Sequence, residues 1–141
     1  LEQTNLSSEH RRDRRHQLIE DFHLSAFINR LGFQLSGGER RRCEVARALA
    51  SGANGPTYLL LDEPFAGVDP LAVADLQLLI EGLRSRGMGI LITDHNVRET
   101  LDIVDSDYIL HDGTVLMEGA PSEIVSHQEV RRFYLGDRFK L

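Results

Sequence analysis

The chain of 141 residues has one lysine, one cysteine, four prolines and no tryptophan. Because the lysine is Lys140, no phosphate-binding loop of the form G-x-x-x-x-G-K-[ST] can be written anywhere in the chain. With Cys43 alone there is neither a disulfide framework nor a cysteine-based zinc site, which suits a reducing, cytosolic setting. No apolar run approaches the ~20 residues of a membrane-spanning helix, so we predict no direct membrane insertion.

The charge balance is acidic, with 22 Asp and Glu residues against 16 Lys and Arg residues. Domains that bind nucleic acid usually carry a basic face, and we therefore predict no nucleic-acid partner. One basic stretch covers residues 10–16. It is typical of a solvated helix face.

Capping signals predict where several helices begin. Ser36 and Glu39 form an S-x-x-E capping box, which predicts a helix that runs to about Ala50. Asp69 and Pro70 predict a second start, with an N-cap followed by an N1 proline. The apolar positions of this second helix are spaced by three and four residues, at Val73, Leu76, Ile80 and Leu83. Further helices are predicted within residues 1–30, after Asn96 with its capping partner Glu99, and after Pro121.

Short apolar runs predict strands. Tyr58–Leu61 and Ile90–Thr93 are continuously apolar up to their ends, which is typical of strands buried on both faces of a parallel sheet. Asp112 and Gly113 lie between two further runs and predict a hairpin. The order β-α-β-α followed by a hairpin predicts an α/β fold.

Two acidic residues, Asp62 and Glu63, follow the first predicted strand directly. Ligands of open α/β sheets gather at the carboxyl ends of strands, and Mg²⁺ takes one or two carboxylates together with phosphate oxygens. Asp62 is the candidate magnesium ligand, through water. Glu63 is the candidate that orients a water for attack on a γ-phosphate. The alternative is that both acids cap the following turn.

Residues 35–39 read Leu-Ser-Gly-Gly-Glu. Bare N–H groups at the start of a helix form an anion site, and glycine leaves them accessible. Ser36 can both cap the helix and offer its hydroxyl to a phosphate. An ordinary capping box would explain Ser36 and Glu39, but it would leave Gly37 and Gly38 unexplained.

His95 follows the second predicted strand and is a candidate hydrogen-bond donor to the γ-phosphate. Taken alone, it would be interpreted as a histidine in a turn.

These motifs resemble those of the nucleotide-binding subunits of ATP-binding-cassette (ABC) transporters. The resemblance covers roughly residues 30–141, and it implies the C-terminal part of a P-loop NTPase fold. Residues 1–50 would then be the remainder of the helical subdomain, and residues 51–141 part of the RecA-like core. The implied motifs are the signature (residues 35–39), the Walker B strand (59–63), the D-loop (66–69) and the switch histidine.

The resemblance also implies roles for these residues. Glu63 and His95 would be catalytic, and Asp62 would hold Mg²⁺. The signature residues of one subunit would bind ATP held on the other subunit of a homodimer, namely Ser36, Gly37, Gly38 and Glu39. Gly67 and Asp69 would lie at the dimer interface. Integral membrane transporter subunits are the implied partners, at the cytoplasmic face of the inner membrane.

Within the family, the resemblance is greatest to ATPases of lipopolysaccharide export, and the ending Tyr134–Leu141 contributes to it. Importers of branched-chain amino acids are near relatives. The P-loop and the glutamine-bearing loop are expected upstream of Leu1, so we expect the isolated 141 residues to be inactive as an ATPase. Two alternatives are the C-terminal lobe of a chromosome-structuring or DNA-repair ATPase, and a non-catalytic interaction module.

Overall fold

The computed structural model describes residues 5–51 and 55–136. The middle of the predicted turn cluster at residues 51–57 and the last part of the ending Tyr134–Leu141 lie outside the described residues. The chain divides into two compact units, and the boundary falls between Thr93 and Asp94. The predicted subdomain boundary near residue 50 lies inside the first unit and stays a prediction.

Two helices of the first unit begin at the predicted caps. Ser36 and Asp69 are N-caps, and Pro70 is the first helical residue after Asp69. The first unit's described residues form helices α1 (Ser8–Asp21), α2 (Gly37–Leu49) and α3 (Pro70–Ser85), with a 3-10 turn at Gly32–Gln34. In α3 the four predicted apolar positions are all buried.

Strands β1 (Tyr58–Asp62) and β2 (Gly89–Thr93) of the first unit pair in parallel, with α3 as the crossover between them. The register places Asp62 opposite Thr93, so both strands end at the same edge. The prediction that β1 and β2 are buried on both faces is wrong, and Leu91 of β2 is 59% exposed. Leu59 is buried, whereas Leu60 is 71% exposed, because side chains of a strand alternate and the described residues cover only one face.

The second unit is built on an antiparallel hairpin. Asp112 and Gly113 have φ values of +48° and +76°, the left-handed pair that a two-residue hairpin turn requires. Four buried side chains form its core, namely Leu101, Ile109, Ile124 and Val130. Its described elements are α4 (Val97–Leu101), β3 (Asp107–His111), β4 (Thr114–Gly119), α5 (Pro121–Ser126), α6 (Gln128–Val130) and a π-helical turn at Arg131–Leu135.

The start of α4 differs from the prediction. Asn96 occupies the N-cap position, but its side chain makes no capping hydrogen bond to the helix. The Asn96 side-chain amide instead donates to Asp94 Oδ1 at 2.8 Å, so this side chain is bonded to the residue two positions earlier. None of the helices in residues 5–51 and 55–136 is long and apolar enough to cross a membrane.

Candidate functional site

The start of α2 is held by a reciprocal pair of hydrogen bonds. Ser36 Oγ accepts from the N–H of Glu39 at 3.2 Å, and Glu39 Oε2 accepts from the N–H of Ser36 at 2.9 Å. Arg30 Nη1 lies 3.2 Å from the other Glu39 oxygen. The Ser36 N–H and then the Arg30 charge lower the pKa of Glu39. Both oxygens of Glu39 therefore have partners within the first unit.

The two glycines at this helix start lie against the segment that follows β1. A Cβ added at Gly37 would lie 2.7 Å from the carbonyl oxygen of Gly67, and one added at Gly38 would collide with the side chain of Ala72. Close packing is thus a reason for both glycines that sequence reasoning missed. It is independent of anion binding, since it requires only that a backbone carbonyl and a side-chain methyl group lie close to the helix start.

Asp62 is the last residue of β1, and Glu63 is the first residue after the strand. Asp62 is exposed, and its Oδ1 accepts from the hydroxyl of Thr93 at 2.5 Å. Glu63 has a φ of +46°, a left-handed conformation that is uncommon for residues other than glycine. Its N–H donates to the carbonyl of Thr93 at 2.6 Å. The backbone therefore turns out of the strand at Glu63, directly after Asp62.

The residues after this turn lead into α3. Gly67 has a φ of +67°, and Asp69 accepts from the N–H of Ala72 at 3.0 Å. The observed role of the Asp69 side chain is the N-cap of α3. A role at a dimer interface stays a prediction.

A cavity of about 170 Å³ adjoins the end of β1, and its lining includes Arg41, Glu44 and Asp62. A larger cavity of about 340 Å³ lies at the opposite ends of the strands, with Thr57 and Met88 in its lining. Because ligands of parallel sheets bind at the carboxyl ends of the strands, the smaller cavity is the candidate ligand site.

The donor set at this edge fits a magnesium–nucleotide complex better than an all-protein metal centre. Within residues 5–51 and 55–136, no group of three or more His, Cys, Asp or Glu residues could hold a metal ion. Magnesium bound with a nucleotide needs only one or two carboxylates, since water and phosphate oxygens complete its octahedron. Asp62 fits that requirement because it is exposed and its orientation is fixed by Thr93.

His95 lies in the second unit, in the turn before α4, and its side chain is 68% exposed. The preceding carboxylate, Asp94, is buried and accepts from the N–H and the side-chain amide of Asn96, both at 2.8 Å. His95 Nδ1 is 3.8 Å from Asp94 Oδ1. The buried Asp94 carboxylate thus shapes the turn that presents His95.

Comparison with known proteins identifies the family to which this chain is related. The ABC transporter family model matches residues 1–66. The lipopolysaccharide export system ATP-binding protein LptB of Acidithiobacillus ferridurans is 55% identical over the whole chain. The chain belongs to the ABC transporter ATPase family. It spans 57% of the length of that curated relative.

Solved structures of ABC cassettes share the fold. The ADP conformation of MJ1267, an ATP-binding cassette of an ABC transporter, has a TM-score of 0.80 and 28% identity over 94% of this chain and 52% of its own. A dimeric post-hydrolysis state of the ATP-binding cassette MJ0796 with ADP and Pi has a TM-score of 0.67 and 28% identity. The match covers 82% of this chain and 49% of the MJ0796 chain. The predicted α/β P-loop NTPase fold is confirmed.

The first unit contains the residues that the resemblance assigns to the signature helix (α2), the Walker B strand (β1) and the D-loop, while His95 lies in the second unit. Sequence reasoning missed four side chains that hold these motifs, namely Arg30, Arg41, Thr93 and Asp94. Asp94 could have been identified from the sequence, because an aspartate that follows a strand often accepts a hydrogen bond from the backbone N–H two residues later, as in an Asx-turn. Arg30, Arg41 and Thr93 carried none, since their partners are set by tertiary packing.

Proposed function

We propose that this chain is part of the ATP-hydrolysing subunit of an ABC transporter that exports lipopolysaccharide. The observation that carries the proposal is the edge formed by β1 and β2, where Asp62 is fixed by Thr93 and Glu63 turns out of the strand. The similarity to an export-system ATP-binding protein over the full length of this chain supports the choice of lipopolysaccharide.

In this proposal, Asp62 holds Mg²⁺ through water, and Glu63 orients the water that attacks the γ-phosphate of ATP. His95 donates to the γ-phosphate from its exposed position. Magnesium bound to ATP supplies charge neutralisation at the phosphates. The protein side chains supply position and hydrogen bonds, which are the main requirements of phosphoryl transfer.

The signature residues act on the ATP of a second subunit. Ser36 is exposed at the start of α2, where the helix dipole favours an anion. Gly37 is also exposed, and Gly38 packs on α3. Glu39 contributes by holding this start in place, since both of its oxygens already have partners. A homodimer is therefore the proposed working form, with membrane transporter subunits as its partners at the cytoplasmic face of the inner membrane.

The similarity to transporter ATPases does not favour a chromosome-structuring or DNA-repair ATPase. The non-catalytic interaction module stays as the alternative for the 141 residues by themselves. It is separated from the proposal by ATPase measurements on the whole protein and on the isolated chain.

The decisive experiment is Glu63→Gln in the whole protein. We expect hydrolysis to fall by about 100-fold or more, because the glutamine cannot polarise the water. We also expect ATP to hold the variant as a dimer in gel filtration. Asp75→Asn removes an exposed carboxylate from α3 and is the matched control. Turnover of the Glu63→Gln variant at the wild-type rate would remove Glu63 from its proposed role.

A depletion strain tests the transported substrate. The whole protein should restore growth to Gram-negative cells that lack their own lipopolysaccharide-export ATPase, and the Glu63→Gln variant should not. If the wild-type protein hydrolyses ATP but fails to restore growth, the ATPase assignment stands and the assignment to lipopolysaccharide fails.

A further inference from the structure

Arg41, in the second turn of α2, connects the signature helix to the turn at Glu63. Its Nη2 donates to the main-chain carbonyl of Glu63 at 2.8 Å. Its Nη1 donates to Glu44 Oε2 at 2.9 Å. Because a guanidinium is planar and rigid, two partners on different nitrogens fix both its position and its plane.

The residue that receives this hydrogen bond has an unfavourable backbone conformation. With φ at +46°, Glu63 lies in a region that persists only where the surroundings hold it. The N–H of Glu63 is held by the carbonyl of Thr93 at 2.6 Å, and its own carbonyl also accepts from the N–H of Ala66 at 3.2 Å. Among these partners of the Glu63 backbone, Arg41 is the one that comes from the signature helix.

We propose that Arg41 is a positioning residue, which holds the backbone of Glu63 so that its carboxylate faces the attacking water. The proposal rests on the function proposed above. Arg41 needs no contact with ATP for this role, because it acts through the carbonyl of Glu63. It also makes the direction of the Glu63 carboxylate depend on the placement of α2, so that a shift of the signature helix would reach the site of hydrolysis.

A purely structural role explains only part of the geometry. The pair of Arg41 with Glu44 is an ordinary i,i+3 pair on a helix surface, and it would form whatever lay opposite. It does not account for the hydrogen bond of Arg41 Nη2, whose acceptor is the carbonyl of Glu63, 22 positions later in the chain.

The test uses the whole protein with Arg41→Met, which keeps most of the stem and removes the donors. We expect kcat for ATP to fall by about 10-fold or more with little change in KM, since small misplacements of a catalytic group cost up to about 100-fold. Arg15→Ala removes an exposed arginine from α1, away from the cavity that Arg41 lines, and should leave kcat unchanged. If Arg41→Met fails to fold by circular dichroism, Arg41→Gln is measured instead, with the same expectation.

A second readout separates positioning from binding. In the Glu63→Gln background, Arg41→Met should trap the ATP-bound dimer as well as Glu63→Gln alone does, because the proposed role of Arg41 needs no contact with ATP. An unchanged kcat in Arg41→Met would overturn the inference. Loss of the trapped dimer would also overturn it, since Arg41 would then act in binding. Wild-type turnover by Glu63→Gln itself would instead refute the proposed function.

Discussion

The hydroxyl of Thr93 donates a hydrogen bond of 2.5 Å to Oδ1 of Asp62, its register partner on the neighbouring parallel strand. The two side chains meet because β1 and β2 are in parallel register and end at the same edge. One oxygen of Asp62 is thereby fixed and the carboxylate is oriented. In a metal site, such outer partners determine how well a ligand is presented.

Thr93→Val should weaken the use of magnesium. Valine keeps the shape of threonine and removes the donor, so Asp62 loses the partner that orients it. We expect the Mg²⁺ concentration for half-maximal ATPase activity to rise by about 10-fold, as for other outer partners of metal ligands. Thr93→Ser keeps the hydroxyl and should stay near wild type. Equal Mg²⁺ dependence in the valine and serine variants would contradict a role for this hydrogen bond.

Gly38→Ala should destabilise the fold, because the new methyl group would collide with the side chain of Ala72. Overpacking of this kind costs about 1–3 kcal/mol, measurable by urea unfolding of the whole protein. Gly32→Ala is the control, since a Cβ at Gly32 meets no atom within 4 Å. The double variant Gly38→Ala/Ala72→Gly should recover part of the loss. If it recovers stability but not ATPase activity, Gly38 has a second role in exposing N–H groups to the nucleotide.

Glu39→Gln should change how stability depends on pH. The pKa of Glu39 is lowered, first by the Ser36 N–H and also by Arg30, so its ionised form stabilises the folded state. This contribution is fully present above the ordinary value of 4.5 and is lost as pH falls through the lower pKa of the folded state. Thermal unfolding over an acidic pH series should therefore show the wild-type advantage over Glu39→Gln shrinking. Arg30→Met should show the same trend with a smaller amplitude. A constant difference between wild type and Glu39→Gln would disprove the linkage.

Asp107→Asn should stabilise the protein at neutral pH. Burial raises the pKa of Asp107, against a smaller opposing effect of the Tyr108 N–H, so its charged form costs free energy in the folded state. Stability of the wild type should fall as pH rises from 3.8 through the raised pKa, and the asparagine variant should not show this fall. The melting temperatures of the two proteins should converge on acidification. A lower melting temperature for Asp107→Asn at neutral pH would contradict this reading.

The local signals in the sequence were reliable where a few adjacent residues decide the outcome. The Ser36–Glu39 box, the Asp69–Pro70 start and the Asp112–Gly113 turn all form as predicted. Two predictions failed where contacts outside the local motif decide the outcome. Asn96 was predicted to cap α4, but its side chain bonds to Asp94 and makes no capping hydrogen bond. Leu60 was predicted to be buried but is exposed, because the tertiary structure decides which face of a strand other elements pack against.

The sequence by itself determined the starts of α2 and α3, the order of strands and helices, and the family, because its motifs are short and contiguous. Only the tertiary structure decided what holds those motifs. The register of β1 and β2 pairs Asp62 with Thr93, and the packing of α2 brings Arg41 to the carbonyl of Glu63. Packing also decided that Gly37 and Gly38 lie against Gly67 and Ala72. These contacts join residues far apart in the chain, and no local pattern of residue types encodes which backbone will lie opposite.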